Sequence, residues 1–166
     1  MTPEQAFDQY HQSVYSFAYR LTRRPDLAED ITQESFLVFV RAAERFDESR
    51  GAVKTYLFSI ARNLALKQYR DHHAEEQLDE GAPVATVDPR QSLDVASAVA
   101  AAVASLPPLQ QEALVLFEYE GVTLEEIAGI VGADVGTVKS RLHRAREQLR
   151  RVLAPYGKAG NVHGTV

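Results

Sequence analysis

Residues 121–152 read GVTLEEIAGIVGADVGTVKSRLHRAREQLRRV, and the fold of the chain turns on how this stretch is parsed. Thr123 followed three residues later by Glu126 is a capping-box pattern, so an amphipathic helix is expected to start there and bury Leu124, Ile127, Ala128 and Val131. Gly132 ends it. Asp134 can then cap a second helix by accepting from the backbone N–H near Thr137. Val138, Leu142, Ala145, Leu149 and Val152 share one helical face and form the expected buried stripe. Two helices joined by so short a turn form a helix-turn-helix.

The rest of the second helix carries Lys139, Ser140, Arg141, His143, Arg144, Arg150 and Arg151. Between Gly136 and Arg151, six Lys or Arg stand against a single acid, Glu147. A helix-turn-helix places the N-terminal part of its second helix against base edges, where Arg and Lys donate to guanine and Ser or Thr pairs with either kind of base. Thr137, Lys139, Ser140, Arg141, His143 and Arg144 occupy that part. The plain alternative is a solvated basic face on an ordinary helical hairpin; the coincidence of turn, caps and basic face favours DNA.

The chain has 166 residues, 45% of them hydrophobic, and no cysteine, which suits one domain or two small ones and excludes a disulfide framework or a thiolate metal site. Nothing resembles a signal peptide or an 18-residue apolar span, so no membrane insertion and a cytoplasmic location are expected. The net charge of −5 is unevenly placed. Residues 1–73 and 96–166 are each balanced, while residues 74–95 hold six acids and one basic residue, Arg90, so the whole deficit lies in the middle. With Gly81, Pro83 and Pro89 and no sustained period, 74–95 reads as a flexible acidic linker. It serves either to repel DNA or merely to keep the chain soluble.

Upstream, Thr2-Pro3-Glu4-Gln5 is a strong helix start, and Phe7, Tyr10, Val14, Phe17 and Leu21 mark one apolar face. Asp26 with Glu29 repeats the capping pattern, predicting a second helix to about Phe46 through Ile31, Phe36, Phe39 and Val40. After a polar loop, Val53, Leu57, Ile60, Ala61 and Leu64 mark a third helix to about His73. Its outer side is expected to show Lys54, Arg62, Asn63, Lys67 and Arg70, with Tyr56 and Tyr69 interleaved. Cations, rings and an amide suit single-stranded DNA, although a Tyr at helical spacing is more often core. Beyond the linker, Val95 to Ala104 and Gln110 to Tyr119 read as two more helices, divided by Leu106-Pro107-Pro108. The end, from Tyr156, has three glycines and no period, and reads as a frayed tail. The expectation is all-α: a three-helix domain (1–73), a linker (74–95), a four-helix domain (96–155) and a disordered tail (156–166).

These residues carry a family resemblance. AEDITQESFLVF (28–39), IARNLAL (60–66), SLPPLQQEAL (105–114) and VGTVKSRLHRAREQL (135–149) resemble, in order, regions 2.2, 2.3 to 2.4 and 4 of the extracytoplasmic-function sigma factors of the bacterial sigma-70 family. The resemblance implies a protein without chemistry of its own or cofactor, which binds core RNA polymerase and directs it to promoter DNA. It implies that Asp30, Gln33 and Glu34, matching DxxQE, dock on the polymerase clamp helices; their i, i+3, i+4 spacing puts them on one face. Asn63 resembles the residue that reads a base extruded from the minus-10 element. Lys54, Tyr56, Arg62, Lys67 and Arg70 surround it as minus-10 candidates, and residues 137–144 match the minus-35 recognition helix. The chain departs from the family at Tyr56, often Trp, and at Lys67, often an acid. An anti-sigma factor is a further implied partner.

The competing reading is a helix-turn-helix repressor or activator that never joins the polymerase. Helical periods throughout residues 1–73 speak against a response-regulator receiver, which needs alternating strands. An enzyme has little support: His72, His73 and the acids after them are the one candidate metal cluster, and adjacent residues point to different sides of a helix, so a shared ligand geometry is not expected.

Overall fold

A computed structural model describes residues 1–72 and 94–156. The expected linker, but for Asp94 and Val95, His73 and the tail beyond Tyr156 lie outside the described residues. Among those residues there are only helices and turns. Helix α1 is Pro3–Thr22, α2 Pro25–Ala42, α3 Val53–His72, α4 Val95–Ala104, α5 Pro108–Leu114, α6 Leu124–Val131 and α7 Val135–Leu153.

The start of α1 is a complete capping box, with Thr2 Oγ1 accepting from the Gln5 N–H at 3.1 Å and the Gln5 side chain accepting from the Thr2 N–H at 2.9 Å. Its end is forced by Arg23 in the left-handed region (φ 56°), with Pro25 opening α2 two residues later. Here one expectation fails. Asp26 does not cap α2; the N-cap is Arg24, without a side-chain cap bond, because Pro25 takes the first helical position and Asp26 falls inside the first turn, paired with Arg24. Helix α2 also stops at Ala42, short of Phe46, and passes into a 3-10 turn over Ala43–Arg45.

Helices α1, α2 and α3 pack around Val14, Phe17, Ala18, Ile31, Phe39, Leu57 and Phe58, with Phe17 meeting Phe58 edge-on at 5.2 Å. A fully buried Phe such as Phe17 contributes about 3–5 kcal/mol against Ala. Phe7 and Val40, expected inside, are 46% and 52% exposed, because Ala6 and Phe39 take the inward positions beside them.

The second group forms around α7, whose inner stripe is Val138, Leu142, Ala145, Leu149 and Leu153; Leu153 replaces the expected Val152, which is half-buried. Helix α4 is capped by Asp94 and buries Ala98, Ala102 and Val103, so the small residues do allow close approach. The helix expected over Gln110–Tyr119 changes hand-off midway. Residues Pro108–Leu114 are α-helical and Val115–Tyr119 form a π-helical turn. Its wider turn swings Glu118, Tyr119 and Glu120 towards other helices.

The two groups pack on each other, α6 on α3 and the α5 region on α1. Sequence reasoning described two tethered modules and left their arrangement open.

Candidate nucleic-acid interface

The exposed basic face of α7 is positioned by two turns. Gly132 takes φ +70°, a left-handed position at which a side chain would be strained, so the chain reverses after α6. Asp134 Oδ1 then accepts from the Thr137 N–H at 2.7 Å, and that bond holds the carboxyl below the ordinary aspartate range. At the start of α6, Thr123 accepts from the Glu126 N–H while its hydroxyl donates to Glu126 Oε1 at 2.9 Å. With the inner stripe buried, Lys139, Ser140, His143, Arg144, Arg150 and Arg151 stand exposed along α7. Thr137 is half-buried beside the turn. Arg141 departs from the expected placement: it sits half-buried at the edge of the face, close enough to Glu112 for its charge to act on that carboxylate. Arg146 turns inward, its guanidinium 5.7 Å from the Phe117 ring and 3.5 Å from Glu118.

On α3 the six minus-10 candidates divide. Asn63, Lys67 and Arg70 are exposed. Lys54 and Arg62, expected on the open side, are half-buried beneath the second helical group. Lys54 Nζ donates to the Glu120 carbonyl at 3.3 Å, and Arg62 grips Glu112 through Nε at 2.7 Å and Nη2 at 2.9 Å. Tyr56 packs rather than presenting a stacking platform: its ring lies 5.0 Å from Phe46 and 6.2 Å from Phe39. The polar loop before α3 is held by Asp47, which accepts from the Ser49 N–H and hydroxyl.

The acids meeting α3 were missed by sequence reasoning. Among the described residues Glu112 is the most deeply placed charge, its side chain 2% exposed. Burial pushes its carboxyl above the ordinary range, opposed by the Arg62 hydrogen bonds and by the charges of Arg62 and Arg141. Glu120 is likewise raised by burial and opposed by the charges of Lys54 and Arg20. Glu126 is lowered, first by a hydrogen bond from Thr55 and then by one from Thr123. A signal did exist for Glu112: it is a lone acid inside the apolar run LQQEALVLF, and buried charges demand partners.

On the far side, Asp30 and Gln33 are exposed and Glu34 half-exposed along one face of α2, with Leu37 and Val40 extending that face at 49% and 52% exposure. Such a mixture of acid, amide and aliphatic groups fits a protein partner better than DNA. Among the described residues, no three His, Asp or Glu side chains gather to hold a metal ion, and no helix is long and apolar enough to cross a membrane.

Comparison with known proteins agrees with this layout. The model for Sigma-70 region 2 matches residues 6–75, and that for Sigma-70 region 4 matches residues 96–149. The chain is 36% identical over 156 residues to the ECF RNA polymerase sigma factor SigE of Mycolicibacterium smegmatis, covering 89% of this chain and 60% of that protein. It is 32% identical over 161 residues to SigW of Bacillus subtilis, covering 88% of this chain and 86% of the other. Among solved structures, it superposes on the sigma factor RpoE of Bartonella quintana, crystallised with the anti-sigma factor NepR, with a TM-score of 0.73 and 28% identity over 91% of this chain and 96% of that one.

Proposed function

The chain belongs to the sigma-70 family, in its extracytoplasmic-function branch, and from that premise we propose that it binds core RNA polymerase and directs promoter-specific initiation of transcription. The observation that carries this is the pairing, in one chain and in family order, of a region 2 helix group with an exposed region 4 recognition helix. A repressor needs only the second.

The domain division follows as part of the proposal: residues 1–73 as region 2, 74–95 as linker, 96–155 as region 4 and 156–166 as tail. Asp30, Gln33 and Glu34 are the proposed contacts to the polymerase clamp, supported by their common exposed face on α2. Thr137, Lys139, Ser140, Arg141, His143 and Arg144 read the minus-35 element in the major groove. Asn63 takes the flipped minus-10 base, with Lys67 and Arg70 on the backbone and Lys54 and Arg62 joining when uncovered; Tyr56 supports the pocket from beneath. Flipping a base costs a few kcal/mol, which these contacts must offset. The chain has no chemistry of its own, acts in the cytoplasm, and has an anti-sigma protein as its third partner, a role supported by the NepR-bound neighbour.

The test is reconstitution. Purified protein and core polymerase on genomic DNA should yield transcripts with defined 5′ ends, and the protein alone should bind duplex DNA weakly. Tight sequence-specific duplex binding without polymerase, and no initiation with it, would make the chain a repressor or activator instead.

A further inference from the structure

Arg146 stands inside the basic run of α7 and yet is placed unlike the rest of it. Lys139, His143, Arg144, Arg150 and Arg151 face outward and are exposed. Arg150 pairs with Glu147 and Arg151 with Gln148 on that outer side, where a phosphate could draw either cation away. Arg146 turns inward instead, with 29% of its side chain exposed. Its guanidinium lies 5.7 Å from the centre of the Phe117 ring, within cation–π range, and Nη2 reaches Glu118 Oε1 at 3.5 Å. Its Nε is buried and finds no hydrogen-bond partner among the described residues. A long, flexible cation that stays inside with one donor unsatisfied, when its stem could carry the head to water, is held there by its two neighbours.

Both neighbours come from the π-helical turn. Gln110 to Leu116 are all buried, so α5 runs into the core with no side left open to α7's cations. The wider turn over Val115–Tyr119, closed by the Glu120 N–H donating to the Val115 carbonyl at 3.1 Å, changes the facing of the chain and brings Phe117 and Glu118 together on the Arg146 side. Helix α7 is thereby fixed twice. Asp134 on the Thr137 N–H anchors its start, and the Phe117–Glu118 clip takes hold about three turns further on. A helix anchored at one end can pivot about that end; one anchored at two points along its length cannot. Residues 137–144 lie between the two anchors.

We propose that Arg146 is a positioning residue for the minus-35 element: clipped against Phe117 and Glu118, it fixes the angle at which Lys139, Ser140, His143 and Arg144 meet base edges, and it touches no DNA itself. The inference rests on the reading of α7 as the minus-35 helix. Directed contacts need their geometry held to about 10–20°, so a pivot of α7 loosens several of them at once. The clip also keeps one cation of the run out of reach of the phosphates, so that part of the positive charge of α7 is structural.

The test is binding of polymerase, reconstituted with each variant, to promoter templates carrying a randomised minus-35 element. Arg146→Met keeps an apolar stem against Phe117. It should cut discrimination between the preferred element and its single-base variants about tenfold, the share of one well-made base contact, and leave the salt dependence unchanged because no phosphate contact is lost. A uniform loss of affinity with a shallower salt slope would make Arg146 an ordinary phosphate contact and overturn the proposal. Glu118→Gln should lose discrimination to a similar extent, although on charge alone removing an acid would only tighten binding to DNA. Unchanged discrimination in that variant overturns the proposal too, and it decides alone should Arg146→Met not fold. Arg146→Lys, which keeps a charge beside the ring and the carboxylate, should recover most of the loss, a rescue that a uniform loss of packing would not confine to base preference. Arg146→Met combined with Glu118→Gln should be no worse than either change alone, since both undo one clip; additive losses would mean two independent roles and sink the idea. Arg144→Ala on the same templates separates the clip from the reading beneath it. If Arg144→Ala loses discrimination and Arg146→Met does not, the clip falls and the reading of α7 stands; if neither loses it, both fall.

Discussion

Helices α3 and α7 both carry a row of cations proposed to meet DNA, yet the chain treats them differently. On α7 the outer face is open, with Lys139, Ser140, His143 and Arg144 exposed over a fully packed inner stripe. On α3 the N-terminal cations Lys54 and Arg62 are engaged by region 4, while Asn63, Lys67 and Arg70 remain exposed. The difference teaches that a basic helical face is not a binding site until its internal competitors are counted. Arg62 is held by a side chain 50 positions away in sequence.

The largest expected effect is at that competitor. Glu112→Ala leaves Arg62 half-buried without its carboxylate, and breaking a buried pair in this way costs about 3–5 kcal/mol. Thermal unfolding should show the loss. Replacing both partners, with Arg62→Met and Glu112→Leu, should recover most of it, since well-packed apolar substitutes are often neutral. If the double variant is as unstable as the single, the pair is not what binds Glu112 in place, and Arg141 becomes the partner to test.

Next in size is the open face. Arg144→Ala should cost about 1–3 kcal/mol in promoter binding by the polymerase complex and relax preference within the minus-35 element. Arg150→Ala, further from the N-terminal end and paired with Glu147, should instead lower affinity for all sequences alike and reduce the salt dependence. Filter binding on randomised minus-35 templates distinguishes the two; equal loss of preference would move base reading further along α7. On the remaining side of the molecule, Asp30→Arg should weaken core polymerase binding at least tenfold, about 1.4 kcal/mol, while leaving duplex binding by the free protein unchanged.

The same contrast shows what could be read in advance. The caps around α6 and α7 and most of their stripes were legible, because Thr123, Gly132, Asp134 and the Val138-to-Leu149 spacing are local signals acting over four residues or fewer, although Ile130 and Leu153 are buried where Leu124 and Val152 were expected and are half-buried. So was the start of α1. The cap of α2 was misread because Pro25 takes the first helical position and leaves Asp26 inside the first turn. Its end was misread because the chain tightens into a 3-10 turn over Ala43–Arg45, which the apolar spacing does not reveal. Lys54 and Arg62 were misplaced for a different reason. Their exposure is decided by Glu112 and Glu120, which lie across the chain, and no periodicity within α3 encodes that meeting. Tyr56 fell on the core side for the same kind of reason, since Phe39 and Phe46 reach it from α2 and the following loop.

The smallest effect sharpens the comparison at the level of single amides. Region 4 starts α4 and α7 with carboxylates, Asp94 on the Ser97 N–H and Asp134 on the Thr137 N–H, whereas α1 starts on the Thr2 hydroxyl. Both aspartates are held below their ordinary range by those N–H bonds. A depressed carboxyl contributes stability that is present above its unfolded pKa and lost as pH falls through the folded one. The two region 4 helix starts should therefore loosen on acidification in a window below the ordinary aspartate range. The α1 cap, which does not titrate, should not. The amide resonances of Ser97 and Thr137 should move together with midpoints below that of an ordinary aspartate, with Gln5 flat over the same range. Exchanging Asp134 for Asn, a cap of similar strength without a charge to lose, should silence the Thr137 titration and leave that of Ser97 in place. The Glu126 amide, held by the Thr123 hydroxyl at the start of α6, gives no cap titration of its own, so the difference lies between carboxylate and hydroxyl caps. A Gln5 amide that titrates alongside Ser97 and Thr137 would mean that acid loosens the whole molecule at once.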